Sequence, residues 1–239
     1  MAAPLHAWID RLTVRSSLSD DDIGVLRAID APVVEESARW DLVRPGQKVD
    51  YSCLVVEGYV ARSERFAHGG RHSTAVYLPG DMCDLHSVAV PVAGWGITAL
   101  TDVAICQVPH TALLDAARQS SAIAMALWRD VIVDGSVLSK WVSVLSGHSA
   151  PKRLAHLWCE LAIRSRIAGI GDEAGFPFPF TQDQLAELLG ISPMHVNRVS
   201  KELRSSGMVQ WAGRRVEIAD WDRLRRYADF DDLYLLLPE

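Results

Sequence analysis

The 239-residue chain contains no run approaching 18 uninterrupted apolar residues, so no membrane-spanning helix is expected. Its four cysteines, Cys53, Cys83, Cys106 and Cys159, are scattered, with no Cys-x-x-Cys pair. They read as buried thiols in a reducing cytoplasm, and no metal site is assigned. There is no Walker loop, no GxGxxG after a strand, no HExxH and no GxSxG. The carboxylates cluster at helix starts and loops, and no enzyme is expected. The opening MAAPLHAWIDRL lacks a basic region followed by a clean apolar core. It is not expected to be a secretory signal, and a cytoplasmic location is predicted. Positive charge is also short: 24 basic against 30 acidic side chains, a balance of −6.

What is present is concentrated in TQDQLAELLGISPMHVNRVSKELRSSG, residues 181–207. Thr181 is a good N-cap and Gln184 stands three residues on, where a capping-box partner belongs. Leu185, Leu188 and Leu189 follow at helical spacing. Gly190 can stop that helix by taking positive φ. Ile191 is expected as the buried residue of the turn. Ser192 can cap a second helix with Pro193 at its first position, where the missing N–H costs nothing. Val196, Val199 and Leu203 recur at i, i+3 and i+7 and should face inward. Met194, His195, Asn197, Arg198 and Lys201 are then left pointing outward. Such a helix is suited to the major groove of DNA. Arg198 is the first candidate for a base contact, with guanine, and Asn197 the second. Ser192, His195 and Lys201 fit phosphate contacts, which position without reading sequence.

After this helix, residues 208–211, Ala212–Gly213 and residues 214–218 read as a β-hairpin, a wing. Arg214 and Arg215 would lie at its tip or on its return strand, facing the DNA backbone. The charge distribution agrees. Residues 192–226 hold 8 basic and 4 acidic side chains, whereas residues 1–148 hold 12 and 17. An acidic protein with one basic face should bind DNA with strong salt dependence.

The remainder is long enough for a second core. Helices are expected near Pro4–Leu12 and Ser19–Ile29. From Val33 to Pro109 short apolar or alternating runs such as SCLVVEG, TAVYLPGD and AICQVP are split by Gly, Pro and Asp, which suggests an all-β sandwich or barrel. HGGR (68–71) reads as a hairpin turn. From Ser120 to about Gly147 one long helix is expected, with Ile123, Leu127, Val131, Leu138, Trp141, Val142 and Leu145 as a broad apolar stripe. So long a helix needs two burying surfaces, and a second copy of itself would serve as one. Another helix should start at Ser149-Ala150-Pro151, and FPFPF (176–180) reads as a short strand. One more short helix is expected after Trp221. The apolar DLYLLLPE at the end should dock rather than float.

The order of β-roll with Glu57-Gly58-Tyr59-Val60 and Pro79-Gly80-Asp81, long helix, TQDQLAELLGISPMHVNRVSKELRSSGMV and wing resembles the Crp/Fnr family of bacterial transcription regulators. The resemblance implies an α+β fold: an N-terminal double-stranded β-helix (jelly-roll, cyclic-nucleotide-binding-like) over 1–118, a dimerisation helix over 119–147, and a C-terminal winged helix-turn-helix over 148–239. It implies a homodimer on double-stranded DNA at an inverted repeat, with Thr181 and the residues above at the interface and RNA polymerase as a further partner. Pro193-Met194 stand where many members carry an Arg-Glu pair that reads bases, so the family's best-known target does not carry over. Arg198 matches the family's later recognition arginine.

The resemblance breaks at the ligand. Nucleotide-binding members carry a Gly-Glu-Leu run whose Glu takes the ribose, then an Arg for the cyclic phosphate. Here Asp84-Leu85 stand nearest to the Glu-Leu pair, and there is no arginine between Arg71 and Arg118. A phosphate there would lack its bidentate partner, so cyclic nucleotide is not expected. Iron–sulfur members use closely spaced cysteines near the N-terminus, and here the first is Cys53. Haem members use His or Cys axial ligands, for which His68, His72, Cys83 and His86 are conceivable, though His68 and His72 flank a turn. Neither cofactor is expected. Gly80, Cys83, Asp84, Leu85 and Trp95 remain as effector-pocket candidates, Trp95 as the wall of a small apolar pocket. The alternative reading is a ligand or redox sensor whose winged domain contacts a protein.

Overall fold

The computed structural model describes residues 4–67 and 69–237. The chain divides into two compact units. One takes the residues up to Glu64, Ala75–Ser136 and the chain from Leu235; the other takes Arg65–Thr74 and Val137–Tyr234.

The first unit opens with α1 (His6–Arg15) and α2 (Asp20–Arg27). Ser19 caps α2 in a reciprocal box with Asp22, and three aspartates load the positive end of the helix dipole. Seven strands follow: β1 (Val33–Glu36), β2 (Asp41–Val43), β3 (Tyr51–Glu57), β4 (Val60–Arg65), β5 (Arg71–Tyr77), β6 (Gly96–Ala99) and β7 (Val103–Pro109). They form two sheets, ordered β1-β7-β3 and β2-β6-β4-β5. Registers such as Leu54↔Cys106 and Val60↔Ala99 are antiparallel. The turn between β3 and β4 needs glycine: Gly58 has φ +85°, and a Cβ there would stand 2.3 Å from the Asp102 carbonyl oxygen.

Alternation along β3 and β7 makes two cores. Cys53, Val55, Val103 and Ile105 point into the roll with Val60, Tyr77, Cys83 and Ile97. Leu54, Cys106 and Val108 point the other way, onto Trp8, Ile9 and Leu12 of α1, Leu26 of α2 and Ile123 and Leu127. All four cysteines are buried free thiols. Burial pushes Cys106 up to about 11 and Cys159 up to about 12.

After Pro109 the chain forms α3 (His110–Gln119) and then α4 (Ser121–Gly147). Ser120 breaks the two apart with an extended backbone, φ −143° and ψ 125°. A buried ion cluster anchors α1. Arg11 pairs with Asp81, and its Nη2 donates to Asp130 of α4 at 2.9 and 3.0 Å. Trp8 Nε1 donates to Asp130 at 3.3 Å. Burial raises the Asp130 carboxyl, opposed by Arg11. His68, considered above as a haem ligand and as the start of the hairpin turn, lies outside the described residues; Phe66 N–H closes that turn onto the Gly70 carbonyl at 2.9 Å.

The second unit holds the end of α4, then α5 (Ala150–Ile167), β8 (Gly175–Pro177), α6 (Gln182–Leu189), α7 (Pro193–Ser205), β9 (Val209–Ala212), β10 (Arg215–Ile218) and α8 (Trp221–Tyr227). Its sheet is ordered β8-β10-β9. Only the first residues of FPFPF are strand. Phe178 and Phe180 instead turn into an edge-to-face aromatic cluster with Phe178 against Trp158 and Trp211. The buried Glu160 of α5 accepts from Trp141 Nε1 at 2.9 Å, Tyr234 OH at 2.9 Å and Arg164 Nη1 at 2.7 Å. That leaves the charge paired and hydrogen-bonded, the condition for tolerating it indoors. The last described element is a 3-10 turn, Leu233–Leu235, with Leu235 fully buried.

Candidate nucleic-acid interface

Local chemistry builds this site. Thr181 Oγ1 accepts from Gln184 N at 3.2 Å, and Gln184 Oε1 accepts from Thr181 N at 2.8 Å. Thr181 is thus exposed but its oxygen is engaged as a cap. Gly190 ends α6 with φ 64°. Arg153 of α5 braces this corner, donating from Nη1 to the Leu189 carbonyl at 2.9 Å. Ile191, expected to be buried, is only half-buried, whereas Leu188 and Leu189 before it are buried. Ser192 Oγ accepts from His195 N at 3.3 Å and starts α7.

Val196, Val199, Ser200 and Leu203 form the buried side of α7. Ser192, Met194, Asn197, Arg198 and Lys201 are exposed and His195 half-exposed, so the outward set is the one the spacing predicted. Met194 is 84 % exposed, the most of any large apolar side chain among the described residues. Arg198 Nη2 lies 2.9 Å from His195 Nε2. Arg204 is turned away from this row: its Nε donates to the Ser200 carbonyl at 3.3 Å and its guanidinium sits over Trp211 at 5.9 Å.

The wing forms as β9 and β10, paired Arg215↔Ala212 through Ile218↔Val209, with Gly213 at φ 59° in the turn. Arg214 is exposed at the tip. Arg215 is differently placed. Its Nη2 donates to both carboxylate oxygens of Asp172, at 2.9 and 3.0 Å. Asp172 also accepts from Ala174 N and Gly175 N, so Arg215 staples the wing to the loop before β8, and Arg214 is the more available cation.

Comparison with known proteins agrees with this geometry. Residues 152–227, from α5 through the helix-turn-helix and wing to α8, match the Crp-like helix-turn-helix domain. The transcriptional activator protein FnrL of Cereibacter sphaeroides is 23 % identical over 190 residues, 78 % of this chain and 76 % of that protein. The second unit thus carries a Crp-like helix-turn-helix domain, and the chain as a whole is similar to Crp/Fnr-type activators. Among solved structures, FixK2 from Bradyrhizobium japonicum superposes with a TM-score of 0.75 at 21 % identity, over 83 % of this chain and 97 % of that one. A putative cyclic nucleotide binding protein from Ruegeria pomeroyi gives 0.62 at 18 % identity, over 97 % and 100 %. These structures show the same fold, a cyclic-nucleotide-binding-like roll followed by a winged helix-turn-helix. The matched helix-turn-helix domain and the likeness to FnrL support a transcription regulator of Crp/Fnr type.

The interior of the roll differs from the sequence expectation in one respect. An arginine does reach it, from β4 rather than from the segment after residue 71. Arg62 is buried, its Nη2 bonded to Tyr77 OH and to Oδ2 of Asp134 on α4. Tyr77 OH donates to the other Asp134 oxygen at 3.0 Å. The Trp95 indole covers the guanidinium at 4.6 Å, and the His86 ring lies 4.6 Å from Trp95. Arg62 Nε and Asp84 Oδ2 are buried without a hydrogen-bond partner. The only signal in sequence was a charged residue following the apolar Tyr59-Val60-Ala61.

The five effector candidates therefore do not line one pocket. Gly80 turns beneath α1, where a Cβ would meet the Ala7 carbonyl oxygen at 3.1 Å. Leu85 packs in the outer core with Trp8 and Leu113. Cys83 and Trp95 belong to the inner one. Asp84 Oδ1 accepts from Cys53 N at 2.7 Å, and burial lifts its carboxyl to about 7. Neighbours along a tight segment alternate between the two faces of the roll, so adjacency in sequence separated them in space.

Proposed function

We propose that the protein binds an inverted-repeat operator as a homodimer, placing one copy of α7 in each of two successive major grooves. The row Met194, Asn197, Arg198 and Lys201, exposed above a base of Val196, Val199 and Leu203, carries this reading. It supplies a bidentate donor for guanine, an amide for adenine and a cation for phosphate on one face.

The dimer reading rests on α4. Its inner side, Ile123, Leu127, Val137, Trp141 and Val144, is buried within the chain. A second apolar side is bare: Met125, Trp128, Ile132 and Val142 are all at least half exposed. Together with the exposed Gly135 and Ser139 they recur at alternating intervals of three and four residues. That is the spacing of a two-helix seam, and a second α4 related by a two-fold axis completes it. The two α7 helices would then stand roughly 34 Å apart to meet successive grooves.

The sensor unit is proposed to act without cyclic nucleotide, because Asp134 already pairs with the buried guanidinium of Arg62 that its phosphate would need, without an iron–sulfur cluster, because the four cysteines are scattered, buried thiols, and without haem. RNA polymerase is the proposed further partner, and the cytoplasm the proposed location. Selection of bound duplexes from a random pool at stated salt tests the function. The expected product is a two-fold-symmetric site; a pool that stays unenriched, or yields no symmetry, contradicts it.

A further inference from the structure

One hollow, of about 500 Å³, lies beside the bare side of α4 and is lined by Met125, Arg129 and Ile132, by Arg15 of α1, and by Leu236 and Leu237 from the end of the chain. The α4 residues fall in a telling register. If Met125 and Ile132 are successive first positions of the heptad, Trp128 is the second core position and Arg129 follows it. In a parallel pair, a side chain at that second position enters a hole made by the partner's two flanking first positions, its own counterpart and the residue after it. Those are residues 125, 132, 128 and 129. Three of the four line the hollow, and the fourth, Trp128, is itself the 65 % exposed projection that would fill it.

We propose that Trp128 of each protomer seats in this hollow on a second copy of the chain, and that Leu236 and Leu237 form part of its wall. The inference rests on the α4 pairing proposed above and adds the C-terminal tail to that interface. The tail is fixed in place for the role. Leu235 is fully buried, and its carbonyl accepts from Arg15 Nε at 3.0 Å. Arg129 is held by the Arg15 carbonyl at 2.6 Å and Ser16 Oγ at 2.7 Å. The hollow thus offers apolar walls and guanidinium planes, a setting that suits an aromatic face. Two-fold symmetry makes knob and hole self-complementary, since every protomer supplies both.

Sedimentation equilibrium of the full chain and its variants tests this. The wild type should be dimeric. Trp128→Ala, and removal of residues 236–239, should each weaken association tenfold or more, with Trp128→Phe intermediate. Val142→Glu, on the same seam but outside the hollow, reports on α4 pairing alone. If Val142→Glu disrupts the dimer while the truncated chain associates like wild type, the tail inference is overturned and the α4 pairing stands. If none of the variants changes association, both fail. A second measurement does not depend on how truncation affects folding. Chains carrying Trp128→Cys, mixed with chains carrying Leu237→Cys and mildly oxidised, should give a cross-linked heterodimer; no cross-link would overturn the placement.

Discussion

Arg198 Nη2 stands 2.9 Å from His195 Nε2, one helical turn apart on the outward face of α7. A guanidinium has donors only, so His195 must accept, and in that bond its ring proton sits on Nδ1. The contact holds Arg198 over the face before DNA arrives and lowers the cost of ordering it. Arg198→Ala should cost about 1–3 kcal/mol on the selected duplex and relax one position of each half-site. His195→Ala should lose less and keep the sequence preference. Titrations against the selected duplex and single-base variants read both. A loss spread evenly over all sequences would mean that Arg198 contacts phosphate and not a base.

Met194 is an apolar side chain standing in water on an otherwise polar row. The matching feature in the major groove is the thymine methyl group. Replacing thymine by uracil in the half-site deletes only that methyl. The expected loss is about 1 kcal/mol, near the value of one buried carbon, for the wild type but not for Met194→Ala. Equal losses for both proteins would place the methyl contact on another residue.

The Arg62–Asp134 pair joins β4 to α4 deep inside the first unit, with Arg62 largely excluded from water. Removing one member of such a pair leaves the other charge uncompensated, at a cost of about 3–5 kcal/mol. Asp134→Asn leaves the buried Arg62 charge without its counter-ion and should lie within that range, whereas Arg62→Ala leaves only the partly exposed Asp134 carboxylate and should fall below it. Urea unfolding of the two variants gives the comparison. Adding cyclic AMP to the wild type should leave its midpoint unchanged; a concentration-dependent rise would identify a nucleotide site in the roll.

The helix-turn-helix was legible because its determinants are local. Thr181, Gln184, Gly190, Ser192 and Pro193 act within a few residues of themselves, and each adopts the expected cap or turn. The wing was legible for the same reason. Arg62 was not, because alternation in a strand tells which residues share a face and not which distant carboxylate they will meet. Asp134 lies 72 positions away. The α4 stripe was read as one broad surface. It is two: Ile123, Leu127 and Trp141 face inward, whereas Val142, grouped with them by sequence, belongs to the bare side with Met125, Trp128 and Ile132. A helix apolar on both sides gives no phase from periodicity alone. The Arg215 staple was hidden likewise, since its partner Asp172 sits in a Gly-rich loop with no pattern to read.

Two buried groups make stability depend on pH in opposite senses. Burial raises the Asp84 carboxyl from 3.8 to about 7, against the Cys53 N–H bond and the nearby Arg62 charge, which lower it. Between these values the folded chain keeps a proton that the unfolded chain has released. Stability contributed by Asp84 therefore falls as pH rises through this window, by on the order of 1.4 kcal/mol per unit, and levels off above about 7. Burial lowers His156 from 6.5 to about 4, helped by Lys140 and His148. There the unfolded chain takes up the proton first, so stability falls as pH drops below about 6.5. The groups lie in different compact units, and their slopes offset each other in the wild type between about pH 4 and 6.5. Asp84→Asn keeps an oxygen for Cys53 N–H and removes the titration. Urea unfolding from pH 4 to 8 should then show a wild-type-minus-variant stability difference that falls as pH rises and levels off above about 7. A wild-type-minus-variant difference that is constant over this range would show that Asp84 titrates at its ordinary value.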